Sequence, residues 1–378
     1  MEGTTDVLII GGGLAGLTCA LHLIRQGISV RLIEKKAYPH HKVCGEYISN
    51  EVVPYLQWLD ADPSPLHPSA ISKLELSTVS GKLISAVLPL GGFGLSRHKF
   101  DQFLAQKIIA QGCILDYDTV TEVNDQQNHF TVNTLAGKRY QAKFIIGAYG
   151  KRDLLDQKLS RAFIQNKSPW LAVKAHYTGL FPDELVGLHH FKGGYCGVSK
   201  VEDGVINICY LVHYSSFKRF KDIQTHQQEV LWKNEHLQEI FSNCTMLFEK
   251  ALSISQISFQ SKEQVKDHIF MIGDTAGLIH PLCGNGMSMA IHSAKLLAEL
   301  LVIHFRDNKR SRQELEMAYT RTWANTFNTR IRMGRILSHL LSNEKTAEVL
   351  LKGLTNFPAM LAPIIRLTHG KPLSIPNT

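Results

Sequence analysis

The amino-acid sequence predicts an α/β fold in which a doubly wound parallel sheet is interrupted by a second, mainly antiparallel sheet and is followed by C-terminal helices. Three observations predict this fold. The chain opens with a strand, a glycine turn and a helix. It changes to strand-like alternation between Trp170 and about Phe259. From His268 it returns to an apolar strand, a glycine-rich loop and a helix.

The opening segment places a glycine turn between a strand and a helix. Residues 7–10 are an apolar run that predicts a strand, and residues 17–24 carry apolar side chains at helical spacing. Gly11, Gly13 and Gly16 lie between them. Gly11 permits the tight turn, Gly13 lets a pyrophosphate approach the backbone, and Gly16 lets the helix pack closely on the strand. The N–H groups at the start of the helix favour bound phosphate.

A second strand supports the same prediction. Residues 28–33 predict a strand, and Glu34 follows at its end, where its carboxylate is placed to accept hydrogen bonds from the ribose hydroxyls of an adenosine. The strand, turn, helix and closing acid together predict a Rossmann-like dinucleotide-binding domain.

Composition and charge limit the alternatives. The chain is 44% hydrophobic, yet no stretch reaches the roughly 18 to 20 unbroken apolar residues of a transmembrane helix. The seven cysteines are odd in number and form no Cys-x-x-Cys pair, which argues against a disulfide framework or a zinc site. We therefore expect a cytoplasmic protein without a signal peptide. The net charge of +8 favours acidic partners, but we recognise no nucleic-acid-binding module.

The next part of the chain predicts a helix, a hairpin and a second helix. The first helix covers residues 50–59. Residues 71–88 predict a hairpin that turns at Ser80-Gly81. Ser96 and Arg97 then open a helix whose apolar face consists of Phe100, Phe103, Leu104 and Ile108.

The remaining segments predict further strands, loops and helices. Residues 130–134 and 140–147 predict a strand pair that turns at Ala136-Gly137, and residues 170–259 predict strands joined by long polar loops. Residues 268–274 predict another buried strand, residues 275–286 a glycine-rich loop and residues 287–304 a helix. Residues 310–378 are mostly helical by pattern.

With the glycine turn and Glu34 at the front and Gly273-Asp274 near the end, residues 6–301 resemble flavoproteins related to p-hydroxybenzoate hydroxylase and geranylgeranyl reductase. The resemblance implies FAD as the cofactor. It implies that Asp274 binds a ribityl hydroxyl, that residues 281–287 lie under the pyrimidine edge of the flavin, and that Arg97 reaches the phosphates or ribose. From the residues alone, Arg97 could instead cap a helix or pair with Asp101. The implied cofactor-binding set is Gly11, Gly13, Leu14, Ala15, Gly16, Glu34, Lys35, Arg97, Gly273, Asp274, Pro281, Gly284, Asn285, Gly286 and Met287.

Two segments indicate which branch of this superfamily the chain resembles. Val43-Cys44-Gly45-Glu46 and Ser293-Ala294-Lys295 resemble the geranylgeranyl-reductase branch, and a bacterial subgroup near it is associated with polyketide, alkylresorcinol or quinone pathways. Hydroxylases of the superfamily have Asp-Gly where this chain has Tyr149-Gly150. Because Tyr149 supplies no carboxylate, the family mode of handling nicotinamide is in doubt, and NAD(P)H stays a candidate electron donor.

The patterns divide the chain into interleaved regions. We predict an FAD-binding domain from residues 1–68, 97–165 and 262–308. A substrate domain is predicted from residues 69–96 and 166–261, and a helical region from residues 309–378.

We expect an FAD-dependent oxidoreductase that acts on an apolar aromatic, polyketide- or isoprenoid-like small molecule by hydride transfer from reduced FAD to a double bond. One alternative is an NAD(P)H- and oxygen-dependent monooxygenase that works through a C4a-hydroperoxide. The other is a flavin-binding subunit or redox sensor without turnover. The candidate catalytic residues are Cys44 and Glu46 as proton donors and Tyr195 as an active-site phenol. Each also has an ordinary structural interpretation: a buried thiol, a cap and a turn aromatic.

Three further expectations concern partners. No metal site is expected, because the neighbouring His189 and His190 point to opposite faces of a strand. The basic C-terminal helices are candidates for contact with a membrane surface. The oligomeric state is open.

Overall fold

The computed structural model describes residues 3–220, 222–307, 310–342, 344–356 and 360–376. Its strands are β1 (Thr4–Ile10), β2 (Val30–Glu34), β3 (Tyr47–Ser49), β4 (Ser69–Ser77), β5 (Leu83–Gly94), β6 (Ile114–Tyr117), β7 (Val120–Asp125), β8 (Phe130–Thr134), β9 (Arg139–Gly147), β10 (Trp170–Gly179), β11 (Leu185–Phe191), β12 (Gly194–Lys200), β13 (Ile206–His213), β14 (Cys244–Met246), β15 (Leu252–Ser255), β16 (Val265–Lys266) and β17 (Ile269–Met271).

The helices are α1 (Leu14–Arg25), α2 (Val53–Trp58), α3 (Arg97–Ala110), α4 (Leu154–Lys158), α5 (Tyr214–Phe217), α6 (Ile223–Val230), α7 (Glu235–Ser242), α8 (Gly286–Asp307), α9 (Arg312–Ser342), α10 (Glu344–Asn356) and α11 (Leu361–Thr368). The helix predicted over residues 50–59 is a 3₁₀ turn followed by α2, and α1 begins at Leu14, three residues earlier than its apolar period indicates.

The first sheet has the strand order β16-β17-β9-β1-β2-β6. β1 pairs in parallel with both β2 and β9, and β17 extends the sheet in parallel beyond β9. β7 and β8 form an antiparallel meander with the first part of β9. Val7, Leu8 and Ile9 are fully buried although successive side chains point to opposite faces, so both faces of the sheet are covered. The doubly wound parallel sheet is confirmed.

The second sheet has the order β14-β10-β13-β12-β11-β4-β5-β3, and β15 also pairs with β10. Its pairs are antiparallel except that of β4 with β11. The predicted hairpin is β4–β5, and Gly81 has φ +83° at its turn. The mainly antiparallel second sheet is therefore also confirmed.

In this region, which the sequence predicts as strands joined by long polar loops, residues 214–217, 223–230 and 235–242 form the helices α5, α6 and α7. Asp222 and Asn234 cap α6 and α7 by accepting hydrogen bonds from backbone N–H groups. The apolar residues Leu237, Ile240 and Phe241 of α7 pack on the core of the second sheet. These helices are too short for their period to stand out in a polar sequence.

The C-terminal helices cover the second sheet and the end of α8. α9 packs against α8, α10 and α11, and both α10 and α11 also contact β5. Within the described ranges, α8 is the one helix whose length and composition would suit a membrane span, and 61% of its most apolar window is buried inside the protein. α8 packs against α1, so it serves as a core helix of the first sheet.

Candidate active site

A cavity of about 1290 Å³ lies where the two sheets meet. One wall comes from the first sheet and its helices: Gly13, Leu14, Ala15, Arg97, Ala148, Gly150, Lys151, Gly273, Asp274, Pro281, Gly284, Gly286 and Met287. The opposite wall comes from the second sheet, including Val186, Leu188, Tyr195, Val198, Cys209 and Leu211. Residues 43–47 close the cavity between them.

The glycine turn is fixed by close packing of backbone on backbone. Gly11 has φ +106°, and a Cβ there would lie 2.5 Å from the Ala148 carbonyl oxygen. A Cβ at Gly16 would overlap the carbonyl oxygen of Gly11, so neither position accepts a side chain. Gly13 is the N-cap of α1 and faces the cavity, where a Cβ would lie 3.3 Å from Arg97 Nη2. The turn therefore presents bare backbone and the start of a helix to the cavity.

Glu34 lies beside this turn and is buried. Its Oε2 accepts a hydrogen bond from Gly12 N at 2.6 Å, and its Oε1 accepts one from Lys36 N at 3.1 Å. Tyr38, which the sequence did not single out, donates from its hydroxyl to the Gly12 carbonyl at 2.5 Å. Lys35 extends away to pair with Asp153 at 3.0 Å and does not line the cavity. The ribose contact of Glu34 stays a prediction.

Arg97 pairs with Asp101, and its contact with the cofactor stays a prediction. Its guanidinium lines the cavity and binds Asp101 through Nε and Nη2, each at 2.7 Å. Lys42 also donates to Asp101 at 2.9 Å. Burial alone would raise the pKa of Asp101, but Arg97 and Lys42 lower it by more, so the carboxylate is ionised and holds the guanidinium in place.

The loop after β17 brings Asp274 to the same wall of the cavity as the glycine turn. Gly273, with φ +61°, precedes Asp274, and its N–H donates to Ser293 Oγ at 2.7 Å. Lys262, which the sequence did not single out, donates to the carbonyls of Asp274 at 2.8 Å and Lys151 at 2.9 Å. Burial lowers the pKa of Lys262 to about 8. This lysine ties together the two segments that line the same wall.

The side chain of Asn285 is not placed as a predicted cofactor-binding residue would be. Its neighbours Gly284 and Gly286 line the cavity, but the Asn285 side chain is fully buried elsewhere and donates to the Thr368 carbonyl at 2.8 Å. Its side chain therefore connects the loop to the end of α11 and does not face the cavity.

The structure also bears on the prediction that Glu46 donates a proton. It is fully buried, and its carboxylate accepts hydrogen bonds from Lys174 Nζ at 2.5 Å, His176 Nε2 at 2.7 Å and Arg97 N at 2.8 Å. Burial would raise the pKa of Glu46, but Lys174 and His176 lower it below its ordinary value. A carboxylate held in this way carries no proton to give, so the structure speaks against Glu46 as a proton donor.

The other two catalytic candidates line the cavity. Cys44 is half-buried in the loop between the two walls. Tyr195 lies on β12 with its ring 5.9 Å from that of His280, and burial raises its pKa well above the ordinary value, so the phenol stays protonated. Tyr149 is not among the lining residues, and its hydroxyl donates to Met271 Sδ at 3.5 Å.

A second cavity, which we call the apolar chamber, adjoins the first. It has a volume of about 910 Å³ between the second sheet and α9, α10 and α11, and none of the described residues that line it carries a charge. The two cavities share four lining residues: Tyr47, Val186, Leu188 and Gly284. Its other walls include Leu74, Leu76, Ile84, Leu88, Leu337, Leu341, Leu350, Leu354, Ile364 and Ile365. No sequence motif indicated this chamber.

The residues of the first cavity fit an FAD molecule. The bare backbone at Gly13 and the N-terminus of α1 suit a pyrophosphate, which needs close approach and positive dipole ends. Asp274 and the start of α8 lie on the same cavity and suit a ribityl hydroxyl and an electron-rich ring edge.

Comparisons with known proteins agree with this fit. Residues 4–322 match the family model described as FAD binding domain. Digeranylgeranylglycerophospholipid reductase of Methanosarcina acetivorans is 24% identical over 372 residues, which cover 92% of this chain and 88% of that protein. The FAD-dependent monooxygenase olcE of Penicillium canescens is 27% identical over 335 residues, which cover 78% of this chain and 70% of that protein.

A solved structure shows the same fold. The flavin-dependent brominase Bmp2 superposes with a TM-score of 0.80 at 18% identity, over 97% of this chain and 93% of that chain. At this level of identity the likeness concerns the fold and not the reaction.

Proposed function

The chain belongs to the FAD binding domain family and is an FAD-dependent oxidoreductase, and on that premise we propose that it reduces a carbon–carbon double bond of an apolar aromatic, polyketide- or isoprenoid-like small molecule. FAD supplies the electrons for this reduction when it is bound. Gly13, Leu14 and Ala15 would hold its pyrophosphate, and Asp274 its ribityl chain.

The observation that carries the substrate class is the apolar chamber. In the part of the chain that the structure describes, its lining contains no charged side chain, and it shares Tyr47, Val186, Leu188 and Gly284 with the flavin cavity. Burying apolar surface stabilises binding by about 25 cal/mol per Å². A hydrocarbon tail in the chamber would therefore anchor a substrate whose reactive end projects into the flavin cavity.

Reduction is favoured over oxygenation by the loop at residues 43–46 and by Tyr149. The loop lines the cavity and resembles that of the reductase branch, and a relative that covers 92% of this chain is named a reductase. Tyr149 supplies no carboxylate where the hydroxylases carry an aspartate. Cys44 and Tyr195 are the remaining proton-donor candidates, because both line the cavity and the Tyr195 phenol stays protonated.

The alternative of an NAD(P)H- and oxygen-dependent monooxygenase is supported by the 27% identity to a protein named a monooxygenase. A flavin-binding subunit or redox sensor without turnover is the alternative of another class. All three share the FAD site and differ in what the reduced protein does next.

Anaerobic reduction of the purified yellow protein tests the proposal. The dithionite-reduced protein receives either polyprenyl or alkenyl-phenol substrates without oxygen, or oxygen with the same phenols. Return of the oxidised flavin spectrum with a saturated product supports the reductase. Oxygen consumption with a hydroxylated product would establish the monooxygenase instead. If neither arm shows turnover while FAD stays tightly bound, the result would support a flavin-binding subunit or redox sensor.

We also propose a cytoplasmic location and peripheral contact with a membrane through α10 and α11. Their exposed faces mix apolar and basic side chains, among them Val349, Lys352, Met360, Arg366 and Leu367. Sedimentation with anionic vesicles tests this contact. A protein that stays in the supernatant with every vesicle composition would exclude it.

A further inference from the structure

The apolar chamber and the flavin cavity meet at a passage that we call the slot. Residues that line both cavities border the passage between them, and among the described residues these are Tyr47, Val186, Leu188 and Gly284. Tyr47 comes from β3 and Gly284 from the loop before α8, whereas Val186 and Leu188 come from β11. The slot therefore has two sides that come from different parts of the chain.

The ring of Tyr47 forms the first side and is held between two glycines. A Cβ at Gly92 would lie 2.5 Å from Tyr47 Cε2, and a Cβ at Gly284 would lie 3.2 Å from Tyr47 Cδ1, on the opposite edge of the ring. The Tyr47 hydroxyl donates to the Gly91 carbonyl at 3.4 Å, and the ring of His369 packs edge-on at 6.4 Å. Because backbone lies against both edges, the ring is a fixed wall.

The second side is a pair of side chains on β11. Val186 and Leu188 are two residues apart on this strand, so their side chains point to the same face of the sheet. β11 is paired with β12 on one edge and with β4 on the other, which holds the strand in place. The position of this side is therefore also fixed by the sheet.

The two sides lie close together. Tyr47 and Val186 are both buried, and they belong to one cluster of packed apolar side chains with Leu88 and Ile365. Packed interiors of this kind resist an added volume of even one or two methylene groups. The side chains of Tyr47 and Val186 therefore set the width of what can pass between the two cavities.

We propose that Tyr47 and Val186 determine substrate specificity, because the slot admits a linear hydrocarbon chain and excludes a ring. The inference rests on the proposed function, in which the chamber holds a substrate tail, and it narrows the substrate class. The substrate has a broad end, such as an aromatic ring, that stays in the flavin cavity, and a linear tail that passes through the slot. A compact polycyclic molecule does not use the chamber.

Binding to the oxidised, FAD-loaded protein tests the slot without any turnover. Flavin absorbance reports the dissociation constants of three probes that share a resorcinol head. Orcinol has no tail, undecylresorcinol has a linear tail, and the third probe carries a phenylene ring in the tail next to the head. Only the third probe places a ring where the tail crosses the slot.

Variants of Val186 change the slot in both directions. Val186→Ala widens it and should strengthen binding of the phenylene probe about tenfold, because a misfit of one or two methylene groups in an apolar pocket has an effect of this size. Val186→Phe narrows it and should weaken undecylresorcinol about tenfold while orcinol stays unchanged. Val87→Ala is the matched control, because Val87 is exposed on β5. Wild-type probe preferences in both Val186 variants would overturn the proposal.

Variants of Tyr47 test the other side and cover the case in which a Val186 variant does not fold. Tyr47→Phe keeps the ring and loses only the hydroxyl, so it should keep the wild-type preference for the linear probe. Tyr47→Ala removes the wall and should bind the phenylene probe severalfold more tightly. If Tyr47→Ala rejects this probe as the wild type does, the ring does not form the slot and the proposal fails.

The probes also separate failure of the slot from failure of the proposed function. If the wild type binds undecylresorcinol no more tightly than orcinol, the chamber does not hold a tail, and the proposed substrate class fails together with the slot. If the tail strengthens binding but no variant changes the ratio between the linear and the phenylene probe, the chamber holds the tail and only the slot is overturned.

Discussion

The flavin cavity and the apolar chamber adjoin but are built in opposite ways. The cavity presents backbone at Gly13 and Gly284, and charged side chains such as Arg97, Lys151 and Asp274. The chamber presents apolar side chains and, within the described ranges, has no charged lining residue. A cofactor that many enzymes share is held by groups that accept few alternatives, whereas an individual substrate is selected by the shape of apolar walls.

The difference also concerns tolerance to change. A side chain added at Gly11 or Gly16 would collide with backbone, and one added at Gly13 would extend into the space that suits the pyrophosphate, so we expect the loss of the cofactor. A side chain added in the chamber changes its volume and meets other side chains, so we expect altered selectivity with the cofactor retained. The predictions below address this contrast.

The largest effect is expected from Gly13→Val. A Cβ at Gly13 already lies 3.3 Å from Arg97 Nη2, and the two methyl groups of valine extend into the space that suits the pyrophosphate. FAD retention should fall by more than about 100-fold while the fold persists, measured as bound flavin per protein and by circular dichroism. Gly353→Val is the control, because a Cβ at Gly353 meets nothing within 4 Å. Stoichiometric FAD in purified Gly13→Val would contradict the phosphate assignment.

The next effect is expected from Leu76→Trp, which fills part of the chamber. Leu76 lines the chamber from β4. The KM for a long-tailed substrate should rise about tenfold, equivalent to about 1.4 kcal/mol, while the KM for a short-tailed analogue and the FAD content stay unchanged. Val87→Trp on β5 is the control, because Val87 is 71% exposed. An equal rise for both tail lengths would show that the chamber does not hold the tail.

A smaller effect is expected from Asp274→Ala. Loss of one hydrogen bond to a ribityl hydroxyl should weaken FAD binding about fivefold, because such a bond contributes about 1 kcal/mol. Titration of the apoprotein with FAD, followed by flavin fluorescence, measures the change. Asp274→Asn keeps an acceptor and should recover part of the affinity. Unchanged affinity in Asp274→Ala would remove Asp274 from the site.

The smallest expected effect is on the pH dependence of the unfolding free energy. It tests whether the two sheets also differ in their sensitivity to acid. Burial lowers the pKa of His22, on α1 beside the first sheet, to about 3. It also lowers the pKa of His189, on β11 of the second sheet, to about 3. Since an unfolded histidine titrates near pH 6.5, the unfolded chain binds more protons between about pH 3 and 6.5, and stability falls as the pH falls through this window.

At pH 5.5 each of these histidines should account for about 1.4 kcal/mol of lost unfolding free energy relative to pH 7. Urea unfolding of His22→Gln and His189→Gln at both pH values measures this loss by comparison with the wild type. Both variants should depend less on pH than the wild type, and by similar amounts. A change in only one of them would show that acid sensitivity belongs to one sheet.

The sequence predicted the parts of the flavin site that depend on short-range geometry. Gly11, Gly13 and Gly16 lie in one turn, and their spacing alone implies a strand, a tight turn and a close helix. The side-chain partners of Glu46 and Asn285 could not be predicted because they are remote in the sequence. Lys174 and His176 lie 128 and 130 residues from Glu46, and Thr368 lies 83 residues from Asn285. No local pattern shows which distant side chain a buried polar group will meet.

By itself, the sequence determined the two sheets, the glycine turn and the strand that precedes Asp274, because hydrophobic periodicity and glycine spacing act over a few residues. The FAD cofactor was implied by the resemblance to a flavoprotein family. The tertiary structure alone decided the apolar chamber, the ionised state of Glu46 and the hydrogen bonds that anchor the carbonyls of residues 42–44. Each of these depends on side chains that come from different sheets or helices, and their distances are set by packing rather than by spacing along the chain.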